Sequence, residues 1–220
     1  MLLSRHKLKM KYDVVLFDMD GTVLDTLQDL TDAVNFTMGH FGFEEISPRR
    51  CASILGNGAK YLISHAAPEA NPEELLEFYT PYYQSHCLVK TAPYPGIIEL
   101  MERLKGKGIK MAVISNKQDG ATKELAERFF PSLLDFAVGE SPTIKRKPDP
   151  AAVLAAIEHF GAEKERCVYV GDTEVDIQTA ANAGIDCIAV SWGFRSREEQ
   201  RAVGASVFAD NPEEIYNLVT

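Results

Sequence analysis

Five apolar runs recur along the chain without polar alternation: Tyr12–Phe17, Met111–Ile114 (MAVI), Phe136–Val138, Cys167–Val170 (CVYV) and Cys187–Val190 (CIAV). Val207–Phe208 is a candidate edge strand. A strand buried on one face alternates; continuous apolar strands belong to parallel sheets covered on both faces. Between the runs, apolar residues return every three or four positions. Gly96–Lys107 carries Ile97, Ile98, Leu100, Met101 and Leu104 in this way and stops at Gly108. Ala121–Phe130 repeats the pattern. Pro150–Phe160 follows Asp149 and ends at Gly161, and Val175–Ala183 ends at Gly184, with helix start and stop residues where they belong. This strand–helix alternation from residue 93 onward predicts a doubly wound α/β core.

Residues 26–92 break the rhythm and contain no convincing strand. Thr26–Phe41 reads as an amphipathic helix capped by Asp25 or Thr26. Pro48–Leu55, Ala59–Ala67 and Pro72–Leu88 read as three more. The pattern predicts residues 1–25 and 93–220 as one α/β unit, with 26–92 as an all-helical insertion after the first strand.

Composition narrows the function classes. The 220 residues carry a formal net charge of -9, which argues against nucleic acid or an anionic membrane as partner. An anionic small substrate stays open, because a metal or a few local lysines can hold one. No apolar stretch is long enough to cross a bilayer. The opening MLLSRHKLKMKY lacks the apolar centre of a secretory signal and reads as a basic lead-in, with Met1 or Met10 as the start. Cys51, Cys87, Cys167 and Cys187 form no C-x-x-C pair and are expected as reduced thiols of a cytoplasmic protein. The five histidines show no ligand spacing.

Chemistry concentrates at the ends of the strands. Asp18 and Asp20 follow the first, Ser115-Asn116 the second, and GDTEVD (Gly171–Asp176) the fourth. KRKPDP (Lys145–Pro150) lies in the loop before the fourth strand's helix. Open α/β sheets bind ligands at this edge. Two carboxylates two residues apart repel, and such a site stays loaded when a cation compensates.

DMDGT, the later SN, KPDP and GDTEVD, in this order, resemble the haloacid dehalogenase-like hydrolase superfamily, over about residues 12–194. The resemblance implies a Rossmann-like parallel sheet of strand order 5-4-1-2-3 with residues 26–92 as a helical cap. It implies Mg²⁺ held by the side chains of Asp18 and Asp172 and the backbone carbonyl of Asp20, with Asp176 orienting a metal-bound water. Asp18 is then the nucleophile, forming an aspartyl-phosphate, and Asp20 the general acid and base. Three carboxylates with open positions suit Mg²⁺. Ser115 and Lys147 bind phosphoryl oxygens. Lys145 and Arg146 compete for the second role, but Lys147 directly precedes Pro-Asp-Pro. Gly21 lets the backbone turn close to the phosphate, Thr22 supports that turn or meets substrate, and Asn116 is a further substrate contact.

Asp20 excludes the dehalogenases, which lack it. The segment LGNGAKYLISHA (Leu55–Ala66) resembles the cap of the phosphoglycolate phosphatase branch. It implies that Gly56, Asn57, Gly58 and Lys60 meet a small carboxylate, although Gly-Asn-Gly also suits a plain inter-helix turn. Ser115 departs from the threonine common in that branch and keeps the hydroxyl. The expectation is a Mg²⁺-dependent phosphatase of a small phosphorylated metabolite, foremost 2-phosphoglycolate. The alternatives are another small ester or pyrophosphate, a sugar phosphomutase, or a non-catalytic scaffold. Oligomeric state, monomer or homodimer, is not legible.

Overall fold

The strand β1 (Val14–Phe17) lies at the centre of a six-stranded sheet in the computed structural model, which describes residues 11–220. Met10 and most of the basic lead-in lie outside these residues. Two parallel neighbours flank β1: β4 (Lys110–Gln118) and β6 (Cys167–Gly171). Outside β4 lies β5 (Phe136–Glu140); beyond β6 lie β7 (Asp186–Val190) and β8 (Phe208–Ala209). The order β5-β4-β1-β6-β7-β8, with its five long strands counted along the chain, is 3-2-1-4-5. That is the expected 5-4-1-2-3 viewed from the opposite face.

Both faces are buried, which is why the strands read as unbroken apolar runs. Val15, Phe17, Met111, Val113, Val168 and Val170 pack on one side. Val14, Leu16, Ala112, Ile114, Cys167 and Tyr169 pack on the other. The first layer is closed by α5 (Ile97–Gly106), α6 (Asp119–Phe129) and α10 (Pro212–Val219); the second by α7 (Ala151–Phe160) and α8 (Glu174–Ala183). Each large apolar side chain buried here contributes roughly 1.5–3 kcal/mol.

Between β2 (Leu24–Asp25) and β3 (Ala92–Pro93) the chain forms four helices: α1 (Leu27–Phe41), α2 (Pro48–Ser53), α3 (Gly58–Ala66) and α4 (Pro72–His86). Leu30, Val34 and Met38 of α1 bury with Leu62 of α3 and with Leu75 and Tyr79 of α4. β2 and β3 pair antiparallel, Leu24 opposite Pro93 and Asp25 opposite Ala92, so the excursion leaves and returns through one two-residue ribbon. A ribbon this short has no apolar period, and the sequence did not announce it. Asp29 braces it: the carboxylate accepts the Lys90 and Thr91 N–H groups and the Thr91 hydroxyl at 2.9–3.0 Å.

Three further expectations are corrected. Thr26 makes no side-chain cap for α1; its hydroxyl goes to Asp20 instead, and Asp25 Oδ1 accepts from Leu27 N at 3.3 Å. The second long strand does not end at Ile114 but continues to Gln118, with an irregularity between those residues. Such a break re-aims side chains, here Ser115 to Lys117. Finally, α9 (Arg197–Ala202) and α10 follow the last expected helix. α9 is short and largely charged, so periodicity is silent, although its Ser196/Glu199 capping box is a start signal.

Candidate active site

Asp18 is the first residue beyond β1, where the sheet's carboxyl edge opens, and is 5 % exposed. The loop carrying Asp172 and Asp176 follows the adjacent strand β6. Carboxylate oxygens of Asp18, Asp172 and Asp176 lie within 4.8 Å of one another. Three buried like charges this close raise one another's affinity for protons. Burial first, then Asp176, pushes the Asp18 carboxyl up to about 7 against the pull of Lys147. Burial first, then Asp176 and Asp18, holds Asp172 well above the usual carboxylate range.

These carboxylates are not equally available. Both oxygens of Asp176 are engaged: Oδ1 with Lys147 Nζ at 2.7 Å, Oδ2 with the backbone N–H of Asp172 and Thr173 and the Thr173 hydroxyl. Asp176 thus caps α8 and orients Lys147. Asp172 accepts from the Thr22 hydroxyl at 2.9 Å on Oδ1 and from Phe194 N at 2.7 Å on Oδ2. Thr22, fully buried, supports Asp172 and is not placed to meet substrate. Asp18 Oδ1 pairs with Lys147 Nζ at 2.8 Å. Backbone crowds around Asp172. A Cβ on Gly21 (φ 79°) would sit 2.6 Å from its Oδ2, and one on Gly193 would sit 2.3 Å from its Cβ. Trp192 closes the same turn by donating to the Thr22 carbonyl at 3.1 Å.

A hard, oxygen-preferring dication fits this set. The donors are all oxygen, and Asp18 and Asp172 retain unused lone pairs.

Lys147 bridges Asp18 and Asp176 and also donates to the Tyr169 hydroxyl at 2.9 Å. Burial pulls its ammonium down, but Asp176 and Asp18 together outweigh that and hold it well above the ordinary lysine range. Of the three basic candidates in its loop, Lys147 alone is brought to the carboxylates. Lys145 pairs with Asp149 on the surface, and Arg146 reaches Glu140 and the Asn57 carbonyl.

Asp20 stands apart from the acidic cluster. Its Oδ1 accepts the Thr26 hydroxyl at 2.6 Å and lies 3.0 Å from Lys117 Nζ. Asp18, Asp20, Ser115, Asn116 and Lys117 line one cavity of about 50 Å³, whose far wall is Leu30, Leu55, Gly56, Gly58, Ala59, Leu62, Tyr79 and Tyr83. Ser115 is nearly buried, its Oγ 3.2 Å from Lys117 N.

Asn116 does different work from that expected. Its amide donates to the carbonyls of Gly56 (2.9 Å) and Lys147 (3.0 Å) and accepts Lys147 N at 2.8 Å. The side chain ties the cap turn and the Lys147 loop together, with no amide hydrogen left for a ligand. Gly56 (φ 109°) and Gly58 (φ 80°) line the cavity with backbone, while the Asn57 carbonyl faces Arg146. Lys60 is not brought to the site; it is 58 % exposed and pairs with Glu73 at 2.5 Å.

The sequence pattern of the haloacid dehalogenase-like hydrolases matches residues 15–190. The chain belongs to that family. Within it, the chain is 34 % identical over 182 residues to a phosphoglycolate phosphatase of Aquifex aeolicus, covering 82 % of this chain and 85 % of that one. It is 29 % identical to an N-acetylmuramic acid 6-phosphate phosphatase of Pseudomonas aeruginosa, covering 96 % of each. A Lactobacillus delbrueckii subsp. bulgaricus protein, provisionally classed as a phosphoglycolate phosphatase, shares the fold with a TM-score of 0.89 and 38 % identity. That superposition covers 96 % of this chain and 99 % of the other. The phosphoglycolate phosphatase-like branch is therefore the right one within this haloacid dehalogenase-like hydrolase family.

Sequence reading of this hydrolase overlooked Lys117, Tyr83 and Arg195, and gave Thr26 a different task. Lys117 stood in plain view, directly after Ser115-Asn116. Arg195, half-buried, pairs with Glu174 at 2.7 Å and donates to the carbonyls of Ala52 (2.7 Å) and Leu55 (2.8 Å). No local motif flags an arginine that acts on backbone 140 residues away.

Proposed function

We propose that the protein is a Mg²⁺-dependent phosphatase of a small phosphorylated metabolite, foremost 2-phosphoglycolate. The observation that carries this reading is the division of labour between Asp18 and Asp20. Asp18 shares the acidic cluster and pairs with Lys147; Asp20 faces the same cavity on its own supports, Thr26 and Lys117. Nucleophile and proton donor must differ in this way.

Asp18 attacks phosphorus and becomes an aspartyl-phosphate. Asp20 donates its proton to the leaving oxygen, then takes one from the water that hydrolyses the acyl phosphate. Ser115 and Lys147 hold phosphoryl oxygens, and Asp176 keeps Lys147 aimed at Asp18. Asp18 and Asp172 side chains, with the Asp20 carbonyl, would hold Mg²⁺. When bound, the ion lowers the proton affinity of the carboxylates and offsets charge on the phosphoryl group. Four free thiols, three of them buried, support a reducing compartment, and we place the enzyme in the cytoplasm. No helix of the described residues is long and apolar enough to cross a membrane.

The test is phosphate release across small phosphorylated metabolites after metal stripping, with and without added Mg²⁺. Activity should vanish on stripping and return with Mg²⁺, and 2-phosphoglycolate should exceed hexose and amino-sugar phosphates. Full turnover in excess chelator defeats the metal reading. Preference for N-acetylmuramic acid 6-phosphate defeats the choice of substrate, which rests on likeness to the phosphoglycolate phosphatase branch.

A further inference from the structure

Lys117 has no task in the chemistry above, yet it is costly to place. Its side chain is 4 % exposed, its ammonium lies 3.0 Å from Asp20 Oδ1, and it also donates to the Tyr83 hydroxyl. It sits 4.5 Å over the Tyr83 ring as well. An ammonium has three N–H donors, so these two partners leave one. Lys117 lines the cavity beside Asp20, while Lys147 is bound between Asp18 and Asp176. The wall beyond Asp20 is apolar or aromatic: Leu30, Leu55, Leu62 and Tyr79.

We propose that Lys117 reads the remote end of the substrate, and that this end is a carboxylate on the carbon bearing the phosphate ester: a 2-phosphooxy acid. The inference rests on the phosphatase reading and sharpens it. With phosphorus at Asp18 and the ester oxygen at Asp20, the next atoms of the substrate fall beside Lys117. A carboxylate there accepts a charge-assisted hydrogen bond from the third ammonium donor. In a 2-phosphooxy acid the ester oxygen and the carboxylate share one carbon. One ammonium next to Asp20 therefore reaches the carboxylate without releasing Asp20. A neutral remainder would leave that third donor buried and unpaired, which is unfavourable. Tyr83 comes from α4 of the cap, so the ammonium is fixed where cap and core meet. The role expected of Lys60 passes to a residue of the sheet.

Binding isolates this from catalysis. The full-length protein, with Mg²⁺ present, is titrated calorimetrically with 3-phosphonopropionate, in which a methylene replaces the ester oxygen. Propylphosphonate, of the same length and lacking the carboxylate, is the control. The wild type should bind the carboxylate compound at least tenfold tighter, as a charge-assisted hydrogen bond would give. Lys117→Met should bring the two within about twofold, and Lys117→Arg should keep several-fold. A preference that survives Lys117→Met overturns the proposal, as does a wild type that binds both equally. Should Lys117→Met fail to fold, Tyr83→Phe must reduce the preference at least threefold; an unchanged preference there overturns it too. Phosphate release from 2-phosphoglycolate by the same preparation separates the two failures. Turnover without a binding preference removes the Lys117 role and leaves the phosphatase. No release from any phosphomonoester removes the phosphatase reading, and this proposal with it.

Discussion

On the core side of the cavity, Asp172 and Asp176 are fixed by bonds that begin and end in the sheet and its loops. Thr22 and Phe194 hold Asp172; Thr173 and Lys147 hold Asp176. On the cap side, the stretch 52–57 is held by its backbone. Arg195 takes the carbonyls of Ala52 and Leu55, Asn116 that of Gly56, and Arg146 that of Asn57. The core wall is preorganised, with donors aimed at charge before substrate arrives. The stretch 52–57 is held to the core by the side chains of Arg195, Asn116 and Arg146. Under the proposed function, chemistry and substrate access would be carried by different kinds of contact, and substitutions should separate them.

The largest effects belong to the core wall. Asp18→Asn should abolish turnover, by at least about a thousandfold, and yield no covalent adduct. Asp20→Asn should behave differently with p-nitrophenyl phosphate, whose leaving group needs no proton. It should give a burst of nitrophenolate near one per site, then turnover slower by roughly two to four orders of magnitude. A phosphate-sized mass increase should appear on the peptide containing Asp18. Rapid mixing with acid-quench mass spectrometry reads both. An adduct on any other residue would falsify the nucleophile assignment.

Next comes the cost of preorganisation. In the metal-free folded protein the Asp18 carboxyl is raised from 3.8 to about 7, by burial first and by Asp176 next. The folded state keeps a proton there that the unfolded chain releases. The stability this proton brings is whole below about pH 4 and is lost as pH rises through about 7. Asp18→Asn carries no such charge. Without metal, its advantage over the wild type should be small near pH 5 and grow to about 1–3 kcal/mol by pH 8. Mg²⁺ at pH 8 should reverse the order by binding the wild type. Denaturant melts at several pH values measure this; a gap that does not move with pH would show that Asp18 is not the strained group.

The same contrast decides what could be read from the sequence. Strands and core carboxylates were legible because both follow from local pattern: continuous apolar runs, then polar residues at their carboxyl ends. Lys147 was separable from Lys145 and Arg146 only through the resemblance, and the structure brings it, and not them, to Asp18. Contacts across long chain separations were not legible. Thr26 looked like a helix cap because threonine before a helix usually is one, and only the fold shows Asp20 beside it. Thr22 and Asn116 looked like ligand contacts because they flank the motifs. Their side chains instead meet Asp172, and the carbonyls of Gly56 and Lys147.

Arg195 tests the cap wall directly. Its guanidinium, 10 % exposed, joins Glu174 to the Ala52 and Leu55 carbonyls. Hydrogen bonds to a charged group contribute about 1.5–3 kcal/mol. Arg195→Gln should therefore raise KM by about tenfold, with a smaller change in kcat. Amide exchange should quicken over residues 52–58 and not around Asp172. If kcat falls with KM unchanged, Arg195 serves the core wall instead.

Lys60 is expected to show the smallest effect, and it sharpens the comparison most. It lies one residue beyond Ala59, which lines the cavity, and the resemblance gave it the substrate's carboxylate. Position on α3 decides otherwise: its side chain leaves the cavity and meets Glu73 of α4, with both groups more than half exposed. An ion pair so exposed is screened by water and salt and contributes little. Lys60→Ala should therefore leave kcat/KM within about twofold, both for 2-phosphoglycolate and for p-nitrophenyl phosphate. Lys117→Met, three positions from the core's Ile114, should change the two substrates unequally. The decisive result against this picture is a tenfold loss for Lys60→Ala on 2-phosphoglycolate alone. That would mean the cap closes further over substrate than it does here, with Lys60 leaving Glu73 to meet the carboxylate. The cap wall would then supply specificity through a side chain as well as through backbone, and the task assigned to Lys117 would be shared across the cavity.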